Sequence, residues 1–497
     1  MVFRPPSVHV TADLPVRVLL VPRLHALGDK TDPVFLDEAF LAAFGAPLLN
    51  HGGGADSPER RLWWEIVGLR GQQYALPGGC VGRRFVNMLA GEIESCTAGR
   101  QGSEREFILT SLILQRDKMV KKAKDVRPLL ARRMDMWESG QHLELLQEAK
   151  RCDRQLKASQ VRMTREHIER VFNRLKLLSR VRAAMRFLLE RGSGGVLDPD
   201  SEACGKQGPL GKTVFEVLQE KHTSQRVPDR SAFPPCADLP PLEHVDVTAS
   251  HIKSVARSLR GSGGPSGTDA DQWKSFLLRF GRASERLREA VAASTRLHAN
   301  EVVPWDTIWD FLARRGIALD KQPGVRPIGI GEVRNRVEAK TMALATHLDV
   351  QDVCGADQLC SGAKAGIEGA VHAMKDIFEQ EDCEGVLLID ASNAFNVLSR
   401  PAMLWNCPVL WPRCSRFLFN MYRGYAVIIV RCVNNSSVKH LYSREGTTQG
   451  CPLALLSYAV GILPLIRQLK NSTEYTHSWF ANYSCLCGFP ATHSSLV

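Results

Sequence analysis

The chain lacks any run of apolar residues long enough to cross a membrane. A membrane span needs roughly 18–20 such residues, whereas the apolar stretch near the amino terminus, residues 16–21, is short and contains Arg17. A secretory leader would join a basic start to a longer apolar segment. We therefore expect an intracellular protein, cytoplasmic or nuclear, with no signal peptide and no membrane partner.

Paired cysteine motifs are missing as well. The 14 cysteines are scattered along the chain: Cys485 and Cys487 are one residue apart, and Cys354 and Cys360 have no second pair nearby. A structural zinc site is normally built from two closely spaced pairs. Scattered cysteines without a leader fit buried thiols in a reducing compartment. We predict neither a zinc site nor a disulfide framework.

The overall composition is that of a folded protein with a basic surface. With 497 residues, 44% hydrophobic and 24% charged, the chain is long enough for more than one domain, and disorder throughout is excluded. The formal charge of +11 favours a polyanionic partner, nucleic acid or a membrane surface. Solvated lysines alone would give the same charge.

The chain divides into four stretches by composition and periodicity. Residues 1–60 are rich in proline and glycine and have little periodicity. Residues 61–191 predict a helical domain, and 192–245, rich in Gly, Pro and Asp, predict a linker with one short helix. Residues 246–497 alternate helical and strand-like segments, which favours an α+β domain.

Two patterns carry the helical prediction for the second stretch. Ser103 and Glu106 form a capping-box pair ahead of an apolar run, and residues 168–188 place apolar side chains at steps of three and four. Between them, residues 116–133 hold eight Lys/Arg and two Asp. This basic segment is either a solvated helix face or a surface that contacts phosphates.

The linker contains a sequence that imitates a phosphate-binding loop. Gly211, Lys212 and Thr213 match the end of such a loop, whose glycine amides cradle a nucleotide. However, Gly205 lies one position too far upstream, Pro209 stiffens the segment, and no apolar strand leads into it. We do not predict an NTPase site here.

Three later segments carry the chemistry when they are taken together. In 386–396 (VLLIDASNAFN), an apolar strand ends in Asp390, which in isolation is best explained as a helix cap. In 445–453 (EGTTQGCPL), a glycine turn opens a helix and allows a ligand to approach the backbone. Residues 318–331 predict a hairpin that presents Lys321 and Arg326, both suited to phosphate oxygens.

In this order the three segments resemble a reverse transcriptase of the non-LTR retroelement and group II intron type. The hairpin resembles the fingers, 386–396 the first palm motif, and 445–453 the next motif of that family. The glycine-rich run 261–269 (GSGGPSGTD) resembles the extra fingers segment that precedes the hairpin. The resemblance extends over about 246–485. It implies the fingers and part of the palm of a right-hand polymerase, after a mainly helical amino-terminal domain.

The family's site residues transfer to matching positions here. The resemblance implies that Asp390 holds two Mg²⁺ ions and that Phe395 is the gate below the sugar. It also implies that four residues line the nucleotide pocket or lie near phosphate: Gln449, Gly450, Lys321 and Arg326. Two plainer interpretations stay open, since Phe395 would also suit a core and Arg326 a solvated hairpin.

The pattern breaks where the family places its other carboxylates. The family has an aromatic-Ala-Asp-Asp hairpin, whereas residues 479–484 here are WFANYS, with Asn482 and Tyr483 at the two aspartate positions. An amide and a phenol are both neutral at neutral pH. After Asp390 the chain has no aspartate and only two glutamates, Glu445 and Glu474. The resemblance also ends before the family's helical thumb.

We therefore expect a degenerate reverse-transcriptase-like protein. The ancestral activity would be RNA-directed DNA synthesis, but two-metal catalysis needs clustered carboxylates, so this copy is predicted to be inactive, with weak or absent Mg²⁺ binding. The expected partner is RNA or DNA. Two alternatives remain: a non-catalytic nucleic-acid-binding protein, or a protein-interaction scaffold built on residues 103–191. The oligomeric state is not predicted.

Overall fold

The chain combines many helices with two small sheets in a computed structural model. The structure describes residues 57–69, 72–157, 165–179, 181, 184–185, 196–203, 211–226, 242–321, 324–361, 365–380, 385–432, 437–472, 476–481 and 483–488. The prediction of an α+β protein is confirmed, whereas its assignment to polymerase fingers and palm stays a prediction. Most of the predicted irregular segment 1–60 lies outside the described residues.

The elements follow one another along the chain with short connections. Before the first sheet they are α1 (Pro58–Ile66), α2 (Cys80–Thr97), α3 (Glu104–Leu114), α4 (Ala123–Glu138), α5 (His142–Lys157) and α6 (Arg165–Leu177). The middle part contains β1 (Val196–Leu197), α7 (Val214–Lys221), α8 (Ala249–Ser258), α9 (Ala270–Leu278), α10 (Arg282–Asn300), a 3₁₀ turn (Trp305–Thr307), β2 (Arg314–Asp320), β3 (Val325–Gly331) and α11 (Val333–Cys354). The last part contains α12 (Gly366–Phe378), β4 (Gly385–Asp390), α13 (Ala394–Val397), α14 (Arg400–Leu410), α15 (Pro412–Tyr422), β5 (Ala426–Arg431), β6 (Val438–Ser443), α16 (Ala454–Ser472), β7 (Thr476–Phe480) and β8 (Tyr483–Gly488).

Helix α3 begins where the sequence predicts, but the predicted capping box is wrong. The Ser103 hydroxyl donates to the buried carboxylate of Asp310 instead of accepting from the helix. The Glu106 carboxylate accepts from Arg334 Nε at 2.6 Å, with both side chains buried. A buried guanidinium binds a carboxylate more strongly than a local backbone amide does, so tertiary partners replace the cap.

Helix α6 confirms the helical prediction over residues 168–177 but ends at Leu177, before the predicted pattern does, and the apolar side chains at and after its end are exposed. Leu177 is 86% exposed, and Leu178 and Val181, which follow the helix, are 56% and 60% exposed. Ile168 and Val171 are half-buried. The 3.6-residue period therefore identified the helix, while the expected core on that face did not form among the described residues.

The larger sheet has the order β1-β2-β5-β6, with β3 paired to β2. Strands β2 and β3 form the predicted hairpin, with Asp320 opposite Val325 and Leu319 opposite Arg326. Strand β5 runs parallel to β2, and β6 closes the edge in antiparallel register. Helix α7 covers this sheet through a small cluster that includes Val214, Leu218, Ile428 and Val430.

The segment that imitates a phosphate-binding loop forms a helix cap. Thr213 Oγ1 accepts from the Glu216 amide at 3.2 Å, and the Thr213 amide donates to the Glu216 carboxylate at 2.7 Å. The Lys212 ammonium pairs with Glu220. These contacts satisfy the first turn of α7, whereas residues 204–210 of the segment lie outside the described residues.

The smaller sheet has the order β4-β8-β7. Asp390 lies opposite Tyr483 in the β4–β8 ladder, and Phe480 lies opposite Tyr483 in the β7–β8 hairpin. The hairpin turns at Ala481, which has a positive φ of 54°. The end of β4 is therefore adjacent to the turn of the hairpin.

One continuous core joins the amino-terminal helices to the later helices and strands. It contains Trp63 from α1, Phe85 from α2, Trp273 from α9, Phe417 from α15 and Ala481 from the β7–β8 turn. The described parts of the predicted linker, β1 and α7, also pack on the larger sheet. Packing thus crosses the predicted domain boundaries, whose positions stay a prediction.

Candidate functional site

Asp390 stands at the end of β4 with an exposed side chain. Its neighbour across the ladder is Tyr483, and β7 pairs with β8 on the other side, so segments 386–390 and 478–483 belong to one sheet. Asn482 lies outside the described residues, and only the backbone of Tyr483 is described. The sheet thus brings Asp390 next to the turn where the family has its paired aspartates.

The chain after β4 turns sharply into α13. Asn393, with a positive φ of 53°, occupies the position before the helix. Asp390 is therefore not the residue that caps α13, which removes its plainest structural explanation. The side-chain amide of Asn393 makes two hydrogen bonds. Its Nδ2 donates to the Lys221 carbonyl at 2.8 Å, and its Oδ1 accepts from Asn396 Nδ2 at 2.9 Å. The end of α7 is thereby tied to the loop that follows Asp390.

The glycine turn 445–450 packs directly on the segment after Asp390. The Thr447 amide donates to the Phe395 carbonyl at 2.6 Å, and the Gly446 amide donates to the Leu398 carbonyl at 2.9 Å. Gly446 has a φ of 62°, and a Cβ there would lie 2.1 Å from the Phe395 oxygen. Only glycine permits this approach, so two of the three predicted segments meet through their backbones.

The same turn meets the β2–β3 hairpin on its other side. The Gly329 amide donates to the Gln449 carbonyl at 2.8 Å. Gly450 has a φ of 112°, and a Cβ there would lie 2.5 Å from the Gly329 oxygen. Gln449 is half-buried and Gly450 is exposed. The third predicted segment is thus in contact with the second.

The hairpin presents both of the predicted cations to solvent. Lys321 and Arg326 are exposed, and the turn is closed by a 3.0 Å hydrogen bond from the Lys321 amide to the Gly324 carbonyl. Lys221, which sequence reasoning did not single out, lies close to Lys321. Burial and the Lys321 charge both lower the pKa of Lys221. The backbone carbonyl of Lys221 contacts the loop that follows Asp390, and its ammonium group interacts with that of Lys321.

Phe395 is half-buried and packs on Tyr458 of α16. Their ring centroids are 4.8 Å apart with an interplanar angle of 38°. Burial raises the pKa of Tyr458. One side of the Phe395 ring thus contacts the core while the residue is half-buried, a position compatible with both interpretations of this residue.

Arg400 is the strongest anchor of the glycine turn, and the sequence did not reveal it. Its side chain is 2% exposed, and its guanidinium donates to five acceptors at 2.9–3.1 Å: the carbonyls of Gly424, Ser443, Glu445 and Gly446 and the Ser443 hydroxyl. The Glu445 carboxylate accepts from the amides of Arg400 and Arg226, both at 2.6 Å. Burial raises the pKa of Glu445 to about 7 and outweighs these hydrogen bonds, which lower it.

Gln358 is a second residue that the sequence did not reveal. Its buried amide group makes both hydrogen bonds to the backbone of Ala481: Nε2 donates to the carbonyl at 3.1 Å, and Oε1 accepts from the amide at 2.7 Å. The Leu359 amide adds a bond to the Trp479 carbonyl at 2.9 Å. Residues 358–359 thus hold the β7–β8 turn in its left-handed conformation next to position 482.

The residues at this site do not fit the two Mg²⁺ ions that the resemblance implies. Magnesium prefers several hard, anionic oxygens, and the strand pair offers one carboxylate, Asp390, with an amide and a phenol at the other two positions. Within the described ranges, no cluster of three or more His, Cys, Asp or Glu side chains could hold a metal ion. We derive no step through a metal here.

The basic segment 116–133 contains both surface and structural cations. Lys121, Lys122 and Lys124 are exposed and available to phosphates. Arg133 is 1% exposed and donates to the Ile113 and Gln115 carbonyls at 2.9 and 2.6 Å, while it pairs with a glutamate of α5. Arg133 therefore serves the fold, whereas the lysines before α4 and in its first turn keep the binding interpretation open.

Comparison with solved structures finds distant likeness to two telomerases. No protein-family model matches the chain. Telomerase from Candida albicans, in complex with a fragment of telomeric RNA, is similar at a TM-score of 0.29 and 8% identity, over 36% of this chain and 38% of that one. Apo telomerase from Candida tropicalis, truncated from its C-terminal domain, is similar at 0.29 and 9% identity, over 45% and 60%. The chain thus spans less than two thirds of either telomerase.

The search for membrane-spanning elements was negative. None of the helices in the described part of the chain is long and apolar enough to cross a bilayer.

Proposed function

We propose that this chain is a reverse-transcriptase-like protein that binds single-stranded nucleic acid and has lost polymerase chemistry. The observation that carries the proposal is the meeting of three segments far apart in sequence. The turn 445–450 contacts both the loop after Asp390 and the β2–β3 hairpin through backbone hydrogen bonds. These contacts support a cleft for template and nucleotide that would be lined by Asp390, Phe395, Gln449 and Gly450.

The loss of chemistry follows from the charge at this cleft. Nucleotidyl transfer places developing negative charge at phosphorus and requires preorganised positive charge, normally two metal ions, to stabilise it. Asp390 is one carboxylate, and Asn482 and Tyr483 add no negative charge to hold the ions. The exposed cations Lys321 and Arg326 remain suited to binding phosphates. The chain can therefore bind nucleic acid without catalysing nucleotidyl transfer.

Primer extension tests the loss of catalysis. Because one carboxylate cannot anchor two divalent ions, we expect the purified chain to extend no primer on RNA or DNA templates, with Mg²⁺ or with Mn²⁺. The Asp390→Ala variant should give the same background, and an active retroviral reverse transcriptase verifies the reagents. Extension by the wild-type chain that Asp390→Ala abolishes would show that the site does hold catalytic metal.

Salt dependence tests the binding. Each neutralised phosphate of a single strand contributes about 0.7 to the slope of log affinity against log salt. Replacing Lys118, Lys121, Lys122 and Lys124 by Ala should therefore make the slope shallower by up to about 3. The measurement is fluorescence anisotropy of a labelled oligonucleotide from low to physiological salt.

A matched variant separates local contacts from total charge. Replacing Lys253, Lys274, Lys340 and Lys375 by Ala removes the same formal charge from other helices. If both quadruple variants change the slope equally, the basic segment 116–133 is an ordinary solvated surface. If the wild type binds no strand even at low salt, the proposed function is wrong.

A further inference from the structure

A row of aromatic and cationic side chains crosses the edge strand of the larger sheet and ends at Arg444, next to the turn 445–450. Consecutive members are 5.9–6.0 Å apart, measured between ring centroids or from the guanidinium carbon to a centroid. We name this row the aromatic ladder; in spatial order it consists of Trp309, Trp64, His440, Tyr442, Arg444 and Tyr425.

Strand β6 supplies the centre of the ladder through its two-residue period. His440, Tyr442 and Arg444 alternate with Leu441 and Ser443, which are 6% and 3% exposed. His440 and Arg444 are exposed and Tyr442 is half-buried. Because successive side chains point to opposite faces of a strand, the buried pair faces the protein, while His440 and Tyr442 line the outer face of the edge strand and Arg444 directly follows its end.

Helix α1 extends the ladder beyond the strand. The Arg431 Nε donates to the Val67 carbonyl at 2.8 Å, which holds the end of α1 against β5 and β6. Trp64 is 39% exposed, and its ring lies 6.0 Å from His440 and 5.9 Å from Trp309, nearly parallel to the latter at 27°. An exposed tryptophan beside a second ring is a costly surface unless something covers it.

One exposed cation stands among the rings of the ladder. The Arg444 guanidinium lies 5.9 Å from both the Tyr442 and Tyr425 ring centroids. At the other end, the Arg60 guanidinium lies 4.6 Å from the Trp309 ring centroid, but it is buried and pairs with Glu104 and Asp306, so it supports the ring and does not face a ligand. Rings beside an exposed cation suit bases joined by phosphates, because every base has a face that stacks and every phosphate is anionic.

We propose that a single strand of RNA or DNA lies along the aromatic ladder, with its bases stacked on these rings. A duplex would not fit this chemistry, since its base faces are already stacked inside the helix. The inference deepens the proposed function, on which it rests, by assigning the strand a binding surface outside the cleft at Asp390. It predicts binding that depends on bases, whereas the lysines of 116–133 would contact phosphates alone.

The test compares an intact strand with an abasic one of equal length and charge. The probes are fluorescein-labelled 12-mers of deoxythymidine, of uridine and of abasic sites, titrated by anisotropy. The wild type should bind the intact strands at least about tenfold more tightly than the abasic strand, because stacking on a ring contributes strongly for each base. Trp64→Ala with Tyr442→Ala should lose most of that difference. Thymidine against uridine separates DNA from RNA.

Two further variants serve as controls: one keeps aromatic rings in the ladder, and the other removes a ring far from it. Trp64→Phe with Tyr442→Phe keeps the stacking faces and should retain the preference for intact strands. Phe378→Ala removes a 52% exposed ring from α12 and should leave it unchanged. Thermal unfolding of each variant shows whether it is folded. If the double alanine variant is unfolded, the comparison is made with Tyr442→Ala alone, which should lose a measurable part of the difference.

Three outcomes would overturn the inference, each in a distinguishable way. Equal binding of intact and abasic strands by the wild type would exclude stacking but leave the proposed function in place. A change in self-association on ring removal, with strand binding unaffected, would assign the ladder to contacts between copies of this chain. Absence of binding to any strand would remove the inference and the proposed function together.

Discussion

Replacing Arg400 by methionine is expected to lower the free energy of unfolding by about 3–5 kcal/mol. The guanidinium is buried and donates five hydrogen bonds, four of them to backbone carbonyls. Methionine fills much of the volume but leaves these acceptors unsatisfied and removes the cation beside Glu445. Each unsatisfied buried group is costly. Urea unfolding followed by circular dichroism measures the loss.

Lysine is not expected to rescue position 400. Its three donors on a flexible stem cannot satisfy five acceptors arranged around a planar guanidinium. An exposed arginine provides the comparison: Arg127→Met on α4 should change stability by no more than about 0.5 kcal/mol. A loss below about 1 kcal/mol for Arg400→Met would mean that the turn 445–450 is held by its backbone contacts alone.

Glutamine in place of Glu106 is expected to remove a large part of the pH dependence of stability. Burial raises the pKa of Glu106 from 4.5 to about 7, opposed by the Arg334 guanidinium and assisted by the charges of Glu338 and Glu332. The folded state therefore keeps a proton that the unfolded chain loses as the pH rises from about 4.5 to about 7. Protonated Glu106 therefore stabilises the folded state at low pH. This contribution to the free energy of unfolding decreases across the window and no longer changes above it.

The size of the effect follows from the shift. A pKa difference of about 2.5 corresponds to roughly 3 kcal/mol between pH 4 and pH 8. The substituted glutamine side chain stays neutral throughout, while its Oε1 still accepts from Arg334 Nε. The unfolding free energy of Glu106→Gln should therefore fall less steeply with pH than that of the wild type, whose remaining slope includes Glu445.

Urea unfolding at intervals of pH measures this difference. Glu285→Gln, at an exposed position on α10, removes a carboxylate without a buried partner and should leave the slope as it is in the wild type. Parallel curves for Glu106→Gln and the wild type would contradict the prediction, because they would mean that Glu106 has the same pKa in the folded protein as in the unfolded chain.

Local patterns in the sequence identified the elements that build the candidate site. Alternation and a glycine turn predicted the hairpin 318–331, and an apolar run ending in Asp390 predicted a strand followed by a turn. The glycine turn 445–450 predicted room for a ligand near the backbone, whereas the structure shows Gly446 and Gly450 facing the backbone oxygens of Phe395 and Gly329. Each of these signals lies within about ten residues, the range over which backbone preferences act.

Only the tertiary structure decided where the buried polar groups find their partners. Arg334 and Glu106 are 228 positions apart, and Gln358 and Ala481 are 123 positions apart. A charged residue in a sequence gives no sign of whether it will be solvated or buried, so Arg133 and Arg400 looked like their exposed neighbours. The aromatic ladder was hidden for the same reason, since its rings come from three separate parts of the chain.

The sequence by itself thus determined the α+β character, the order of the segments and the carboxylates that are lacking, because composition and local spacing are properties of the chain alone. The tertiary structure decided that the turn 445–450 lies between the hairpin and the loop after Asp390, and that Arg400 holds it there. Such contacts depend on which distant surfaces bury their apolar area together, and short-range backbone preferences do not encode that choice.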